Sequence, residues 1–356
     1  MTTTLQATKM RLTTERGADF WNDSCAENEL KEAVQNGATG ATSNPVIVGT
    51  AVKADLPTWV PVIDGLIAED AEAGEEEIAW KLIEALGRKA AAVLEPVHRE
   101  TRGAKGFLSM QVNPKLYRSA RQMAEHGRRL ATVAPNVAVK VPATPAGIAA
   151  GAELVASGIN VNATVSFTLP QAVAVADAFE AALDQAKARG LDMSRLHPYA
   201  TLMVGRLDDH LQRVLTKQAI SIDPGYLHWA GIAVFKKARR IFVERGYRST
   251  LLAAAYRHHL HWSELIGKGV ILSMPYAWWK QFEASDIEVT DTLDRPVEAR
   301  IVDGLYAKFA DFRHAYDENG LSPEEFARFG ATLHTLNQFI SGYHDLLAFV
   351  RERMLR

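Results

Sequence analysis

The amino-acid sequence predicts an α/β protein, a (β/α)8 TIM barrel with additional N-terminal and C-terminal helices. Short apolar runs alternate with longer amphipathic segments, which is the pattern of strands and helices around a parallel sheet. The chain has 356 residues, and barrels of this class often exceed about 250 residues as one unit. We therefore predict an N-terminal extension at 1–17, a catalytic barrel at 18–285 and a C-terminal helical extension packed on the barrel at 286–356.

The candidate strands are runs of small and β-branched residues bounded by turn residues. Eight such runs are present, which is the number that closes this kind of barrel. They lie at residues 18–23, 40–43, 106–111, 136–141, 158–165, 199–203, 250–255 and 270–273.

The segments between the strands carry apolar residues at three- and four-residue spacing, which predicts helices. Examples lie at 115–132, 145–156 and 170–189. Two further segments, 71–98 and 295–356, exceed what a minimal barrel needs.

The second of these segments contains a helix-start signal. Ser322 suits the N-cap, Pro323 suits the first helical position, and Glu325 can complete a capping box. We predict a long closing helix packed across the barrel.

Composition excludes several function classes. Hydrophobic residues make up 47% and charged residues 23%, and the net charge of −2 comes without a basic stripe, so we expect no nucleic-acid partner. The single cysteine, Cys25, forms no intramolecular disulfide and suits a reducing compartment. Residues 1–17 lack the apolar core of a signal peptide and no later stretch predicts a membrane span, so we predict a cytoplasmic protein. The oligomeric state is left open, with a homodimer as one candidate.

Lys140 is the most informative residue, because it stands alone inside the apolar run NVAVKVPAT. Buried strands rarely contain an ammonium group. Burial lowers the pKa of a lysine and frees its lone pair to attack a carbonyl, which predicts a Schiff-base nucleophile. Alternation places Ala138, Lys140 and Pro142 on the inner face of the strand. The alternative is a lysine with a buried stem and a solvated head.

Active sites of such barrels form at the carboxyl ends of the strands, so the polar residues there are compared as a set. Together they offer one amine, one carboxylate, amides, hydroxyls and two guanidinium groups, which suits a phosphorylated sugar as substrate. The set comprises Asp23, Asn44, Gln111, Lys140, Asn162, Thr164, Thr201, Met203, Arg206 and Arg257.

Several members of this set also have simple structural explanations. Asp23, together with Ser24, could cap the following helix, and Asn44 before Pro45 is common turn chemistry. Arg206 and Arg257 could be ordinary surface residues.

The three histidines His258, His259 and His261 follow the seventh strand. We expect them on a helix, facing solvent or packing, and predict no metal site.

The motifs resemble the transaldolase family, which includes fructose-6-phosphate aldolases. The matching strings are ATSNPVI, GFLSMQVNP, NVAVKVPATPAGIAA, GINVNATVSFTLPQA, VGRLDD and AAAYR. The resemblance covers roughly residues 18–285 and is most specific at 136–171. It implies a (β/α)8 barrel with pentose phosphate pathway chemistry, which transfers a dihydroxyacetone unit from a ketose phosphate to an aldose phosphate through a lysine imine without a cofactor.

The resemblance also implies roles for individual residues. Lys140 forms the imine, Asp23 takes the proton of the C4 hydroxyl, and Thr164 helps to place the catalytic water. The remaining positions implied to bind substrate are Asn44 and Asn162 for the hydroxyls of the dihydroxyacetone fragment and Arg206 and Arg257 for the phosphate, with Thr201 and Met203 on the sixth strand beside them.

Three departures from the family pattern bear on the reaction. Gln111 stands where transaldolases usually carry a glutamate and the related aldolases a glutamine. Met203 stands where those aldolases carry a tyrosine and transaldolases a phenylalanine. Ala255 and Thr201 replace two serines, which indicates an altered anion site. Three activities therefore stay open: a transaldolase, an aldolase of the fructose 6-phosphate type, and a catalytically weakened sugar-phosphate-binding barrel.

Overall fold

Eight parallel strands close into a barrel in the computed structural model, which describes residues 7–356. Each strand pairs with the next along the chain, and β8 pairs with β1 to complete the circle. The predicted (β/α)8 architecture is confirmed. The strands are β1 Ala18–Asn22, β2 Ala38–Thr42, β3 Phe107–Gln111, β4 Val137–Pro142, β5 Val161–Thr164, β6 Tyr199–Met203, β7 Thr250–Ala254 and β8 Val270–Met274.

Sixteen α-helices surround or extend the barrel within the described residues. They are α1 Lys9–Glu15, α2 Glu27–Gln35, α3 Pro45–Ala54, α4 Leu56–Glu69, α5 Glu75–Glu100, α6 Ala120–Ala131, α7 Pro145–Ala156, α8 Leu169–Ala188, α9 Val204–Gln218, α10 Ala230–Arg245, α11 Leu260–Ser263, α12 Tyr276–Ala284, α13 Ala299–Lys308, α14 Ala310–Tyr316, α15 Pro323–Phe326 and α16 Gly330–Met354.

Two predicted elements begin later than expected. The helix predicted at 115–132 is a short 3₁₀ turn, Pro114–Leu116, followed by α6, which starts where the Ser119 side chain accepts a hydrogen bond from the Gln122 N–H. The strand predicted from residue 158 starts at Val161, because Gly158 adopts a left-handed conformation at the end of α7.

The predicted closing helix is divided in two. The capping box of Ser322 and Glu325 is present, but it starts only the one-turn helix α15. Phe329 then adopts a non-helical conformation, with ψ of 134°, and the long helix α16 begins at Gly330. The sequence therefore predicted a helix start at the correct position, but the helix that starts there is the short α15 and not the long α16.

The barrel has two apolar layers. A small inner cluster fills the barrel interior and comprises Trp21, Phe107, Ala138, Tyr199, Leu252, Ala254 and Ile271. A much larger cluster lies between the strands and the surrounding helices. Strand side chains alternate between these two layers, so the inner cluster shows which residues of each strand point toward the barrel axis.

The predicted division at 1–17, 18–285 and 286–356 stays a prediction, and residues 1–6 lie outside the described part of the chain. No single helix within 7–356 is long and apolar enough to cross a membrane. Helices α3 and α4 meet the length and composition criteria only as a pair, and they are bent by 112° at their junction.

Candidate active site

Lys140 lies on the inner wall of the barrel. On β4 it is paired in register with Gln111 of β3 and Asn162 of β5, and register partners in a parallel sheet project to the same face. Ala138, two residues earlier, belongs to the inner cluster, so Lys140 also points inward. Only 5% of Lys140 is exposed, which excludes the alternative of a solvated head. We call Lys140, Gln111, Asn162 and Thr164 the lysine chamber.

Burial lowers the pKa of Lys140 below its ordinary value of 10.5. The negative charge of Asp23 acts in the opposite direction, and the positive charge of Arg206 adds to the lowering. Desolvation is the largest of these effects, so the surroundings favour the neutral amine. A neutral amine has the lone pair that attack on a carbonyl requires.

Asp23 follows β1, three strands around the barrel from β4. Its carboxylate accepts a hydrogen bond from the Thr42 hydroxyl, and that hydroxyl oxygen lies 2.9 Å from the hydroxyl oxygen of Ser273. The capping alternative is wrong, because α2 begins after Ala26 without a side-chain cap. Asp23 is therefore positioned by the neighbouring strands β2 and β8.

Gln111 and Thr164 each present an unsatisfied polar atom. Within residues 7–356, Gln111 Oε1 and Thr164 Oγ1 are buried and have no hydrogen-bond partner. Both residues line a cavity of about 10 Å³ that Pro142 and Leu336 also border. A cavity of this size is at the lower limit for holding one water molecule, and buried polar groups that lack a protein partner commonly bind a water.

Asn162 is fully buried and already bonded at both ends of its amide. Its Nδ2 donates to Ser109 Oγ at 3.1 Å, and its Oδ1 accepts from Thr201 Oγ1 at 2.7 Å. An amide has two donors and two acceptor sites, so one of each is left for a ligand. Met203 ends β6 on the same face as Thr201 and is 7% exposed. Ser109 was not identified from the sequence.

Asn44 caps α3. Its Oδ1 accepts hydrogen bonds from the N–H groups of Val46 and Ile47 at 2.9 and 3.1 Å. The structural explanation is therefore confirmed for this oxygen. Only the amide nitrogen of Asn44 is left to contact a ligand.

Two arginines lie at the carboxyl end of the barrel, and we call them, with the partners Gln338 and Asp209, the arginine rim. Arg206 is in the first turn of α9, and Arg257 follows β7. Gly205 allows α9 to approach β7 closely, because a Cβ there would lie 2.1 Å from the carbonyl oxygen of Ala255. Strand ends thus place the two guanidinium groups side by side.

The partners of Arg206 come from the last helix. Its Nη1 donates to Gln338 Oε1 and lies 3.5 Å from Thr335 Oγ1, and its guanidinium carbon is 5.6 Å from the ring centre of Phe339. Burial, with the positive charge of Arg257, lowers the pKa of Arg206 to about 10. In the described part of the chain, Arg206 Nε is buried without a partner and no carboxylate lies within 4.0 Å of this guanidinium.

Arg257 has a carboxylate partner instead. Asp209 accepts hydrogen bonds from its Nε at 3.1 and 3.0 Å and from its Nη2 at 2.7 Å. The backbone of Arg257 is fixed as well, since its N–H donates to His261 Nδ1 at 3.1 Å. Arg206 is partly buried, so the surface alternative does not describe it, whereas Arg257 is exposed as that alternative expected, although it is held by Asp209.

His261 packs in the interior, which is one of the two positions expected for the three histidines, but His258 and His259 precede the helix instead of lying on it. Helix α11 includes only Leu260–Ser263, and His261 is completely buried. Its Nε2 lies 2.9 Å from Asp208 Oδ2, and the nitrogen of His258 is 3.3 Å from the same oxygen. Because His261 Nδ1 accepts a backbone N–H, Nε2 carries the hydrogen and has no lone pair for a metal ion. The side chains of Asp208, His258 and His261 lie as close together as metal ligands do, but both histidines are bonded to the Asp208 carboxylate and His261 also holds the Arg257 backbone.

Two strand ends of the site have strained backbone. Val165, next to Thr164, and Ala255, before Tyr256, have φ values of +55° and +66°. This conformation is unfavourable for residues other than glycine and is often found at functional sites. Tyr256 is also unusual, because in residues 7–356 its buried hydroxyl has no partner, while burial and Asp23 raise its pKa well above 10.0. The sequence offered no signal for either feature.

The chain matches the family model described as Transaldolase/Fructose-6-phosphate aldolase over residues 20–338. Curated relatives named Transaldolase include proteins from Thermobifida fusca (strain YX), 30% identical over 78% of this chain and 74% of the relative, and from Arthrobacter sp. (strain FB24), 27% identical over 96% and 91%. A third, from Thiobacillus denitrificans, is 28% identical over 93% of this chain and 96% of the relative.

Among solved structures, a putative phosphonomutase from Burkholderia cenocepacia J2315 aligns with a TM-score of 0.30 at 12% identity, over 78% of this chain and 95% of that chain, and this adds nothing to the assignment. The family model extends across all eight strands and well into the C-terminal helices. This chain therefore belongs to the transaldolase/fructose-6-phosphate aldolase family.

Proposed function

We propose that this chain is a transaldolase, which transfers a dihydroxyacetone unit from a ketose phosphate to an aldose phosphate through an imine on Lys140. The single observation that carries the proposal is Lys140 itself, a buried lysine with a lowered pKa on the inner wall of the barrel. Membership of the family and the name shared by the relatives support the same reaction.

The first chemical step is imine formation. The neutral amine of Lys140 attacks the C2 carbonyl of the ketose, and loss of water from the carbinolamine leaves a protonated imine. Water in the cavity between Gln111 and Thr164 would lie beside this step. The Gln111 amide orients such a water but takes no proton from it at neutral pH.

The second step is cleavage of the bond between C3 and C4. The Asp23 carboxylate accepts the proton of the C4 hydroxyl, the aldose leaves, and the bonding electrons pass into the imine to give an enamine on Lys140. The enamine carbon then attacks the aldehyde of the acceptor, and hydrolysis of the new imine releases the product. The protonated imine is itself the electron sink, so this route needs no metal or organic cofactor.

An aldolase acting on fructose 6-phosphate is the second candidate, and Gln111 is the residue that favours it. In that reaction the enamine takes a proton and dihydroxyacetone is released. Met203, on the same wall of the barrel, cannot donate a proton. This residue makes transfer the better-supported outcome.

Borohydride trapping tests the imine. Reduction in the presence of fructose 6-phosphate should leave a dihydroxyacetone-derived mass on the peptide that contains Lys140. If no adduct forms with any of a panel of ketoses, the binding-barrel alternative replaces both enzymatic ones.

A second assay separates the two enzymatic candidates. Fructose 6-phosphate is incubated with and without erythrose 4-phosphate, and the products are measured. We expect transfer only when the acceptor is present, whereas release of dihydroxyacetone without an acceptor at a comparable rate would reject the transaldolase.

The proposal includes the setting of the reaction. Its small-molecule partners are sugar phosphates, and its compartment is the cytoplasm, in agreement with a single buried thiol at Cys25. Turnover is expected to be unchanged by a chelator, and a loss of activity that a divalent metal restores would contradict the imine route.

A further inference from the structure

The last helix of the chain reaches the active site. Leu336 of α16 borders the small cavity beside Gln111 and Thr164, while Thr335, Gln338 and Phe339 surround the Arg206 guanidinium. The far end of α16 is anchored by the ion pair between Arg353 and Asp64 of α4. An ion pair outside the active site therefore helps to fix the position of these α16 side chains at the barrel end.

Arg206 needs a partner that the folded chain does not provide. Buried cations are almost always paired, because an unpaired charge in a low-dielectric environment is costly. Arg206 is partly buried and its Nε is fully buried, and within 7–356 this Nε has no partner and no carboxylate lies at salt-bridge distance of the guanidinium. Its close polar partner is the neutral amide of Gln338.

The neutral partner leaves the positive charge of Arg206 available. At Arg257, by contrast, the carboxylate of Asp209 engages two guanidinium nitrogens and neutralises the charge. Gln338 accepts from Arg206 through Oε1, so its Nε2 carries two N–H groups that can donate to an anion beside the arginine. Arg206 and Gln338 together form a set of N–H donors, and within residues 7–356 no carboxylate lies at salt-bridge distance of this guanidinium.

We infer that Gln338 is a specificity-determining residue, which contacts the phosphate of the sugar substrate together with Arg206. This inference rests on the proposed function and deepens it. Ala255, two residues before Arg257, offers no hydroxyl to the anion site, whereas Gln338, contributed by the C-terminal helix, offers a polar group there. A carboxylate at position 338 would instead pair with Arg206 and repel the phosphate.

The main variant is Gln338→Glu, and Asn337→Asp is its matched control. Asn337 is the neighbouring exposed amide of α16, and its side chain makes no hydrogen bond within the described residues, so it receives the same charge change on another side of the helix. Gln338 is also exposed, so neither substitution disturbs the core. Initial rates are measured with fructose 6-phosphate and with unphosphorylated fructose as donors.

We expect Gln338→Glu to raise KM for fructose 6-phosphate about tenfold or more, the effect of losing one hydrogen bond to a charged group, while kcat changes little. KM for fructose should not rise, so the preference for the phosphorylated donor should fall. Asn337→Asp should leave both KM values unchanged. Equal effects on the two donors, or equal effects of the two variants, would overturn the inference.

Binding without chemistry distinguishes failure of this inference from failure of the proposed function. Lys140→Met forms no imine, and calorimetry on it measures the Kd of fructose 6-phosphate alone. A weaker Kd when Gln338→Glu is added supports the phosphate contact even if no transfer is ever detected. Normal transfer by the natural chain, with a Kd that is the same in the single and double variants, rejects the contact and leaves the transaldolase proposal intact.

Discussion

The lysine chamber and the arginine rim are assembled in different ways. The chamber side chains belong to β3, β4 and β5, so strand register sets their relative positions. The rim side chains come from α9, the segment after β7 and α16, and each guanidinium is engaged by a partner from a helix. The sheet thus fixes the positions of the chamber side chains, while recognition of the anion depends on helices whose residues can change without moving Lys140.

The largest expected effect is in the chamber. Lys140→Met should reduce transfer on the order of 10⁶-fold, the scale of removing a covalent nucleophile. The measurement is single-turnover transfer from fructose 6-phosphate. If more than a small fraction of the natural rate persisted, another amine would be the nucleophile.

The same variant tests the lowered pKa of Lys140. Between that lowered value and 10.5, the unfolded chain binds more protons than the folded chain, so the free energy of unfolding should rise with pH across this window. Imine formation should decline as pH falls through the lowered pKa, because the amine becomes protonated. Denaturant unfolding at several pH values should show a smaller rise in Lys140→Met.

Asp23→Asn should have the next largest effect. Loss of the proton acceptor is expected to lower kcat about 10²- to 10⁴-fold, the usual contribution of a general base. Borohydride trapping should continue, since the imine forms before the C4 proton moves. Loss of trapping together with turnover would show that Asp23 acts earlier, on imine formation.

Gln111→Glu tests whether a carboxylate in the lysine chamber can take a proton from the nearby water. A carboxylate beside the predicted water can take a proton, so we expect imine formation to become faster by about tenfold. This increase is smaller than the usual contribution of a general base, because a water already acts at this position. The pH profile of trapping should gain a new ionisation. An unchanged rate and profile would show that another group moves this proton.

Asp209→Asn tests the rim. Removing the carboxylate frees the charge of Arg257, and we expect KM for fructose 6-phosphate to fall a few-fold, consistent with the loss of a partly exposed ion pair of about 1 kcal/mol or less. KM for fructose is the control. An increase in both KM values would mean that Asp209 is needed to orient Arg257 rather than to compete for it.

Tyr256→Phe should have the smallest effect on activity. It removes a buried hydroxyl that has no partner within residues 7–356, so we expect the free energy of unfolding to rise by about 1 kcal/mol with kcat and KM unchanged. Denaturant unfolding measures the free energy of unfolding, and steady-state rates measure kcat and KM. A clear loss of kcat would instead place the hydroxyl in the reaction, close to Asp23.

Local patterns predicted most of the fold and much of the chamber. The eight strands follow from short apolar runs, and the inward direction of Lys140 follows from alternation along a single strand. These features depend on neighbours in sequence. The start of α6 at Ser119 could also be found from a capping residue, although the prediction placed it too early.

Contacts between distant residues could not be predicted. Thr42, which donates to Asp23, meets Ser273 across 231 positions, and Gln338 reaches Arg206 across 132 positions. Threonine, serine and glutamine are common on strands and helices, so nothing in their local sequence marks them. The role of His261 was missed for the same reason, since its carboxylate partner Asp208 lies 53 positions away in the sequence.

The arrangement of α16 also has a consequence for synthesis of the protein. All eight strands and both arginines precede residue 275, whereas Gln338 and the anchor Arg353 lie in the last helix. A chain that stops before Gly330 would therefore contain Lys140 and its neighbours but lack the α16 side chains that border the small cavity and contact Arg206. Damage to the C-terminus, by a premature stop or by a protease, would leave a reactive amine with less control over which sugars reach it.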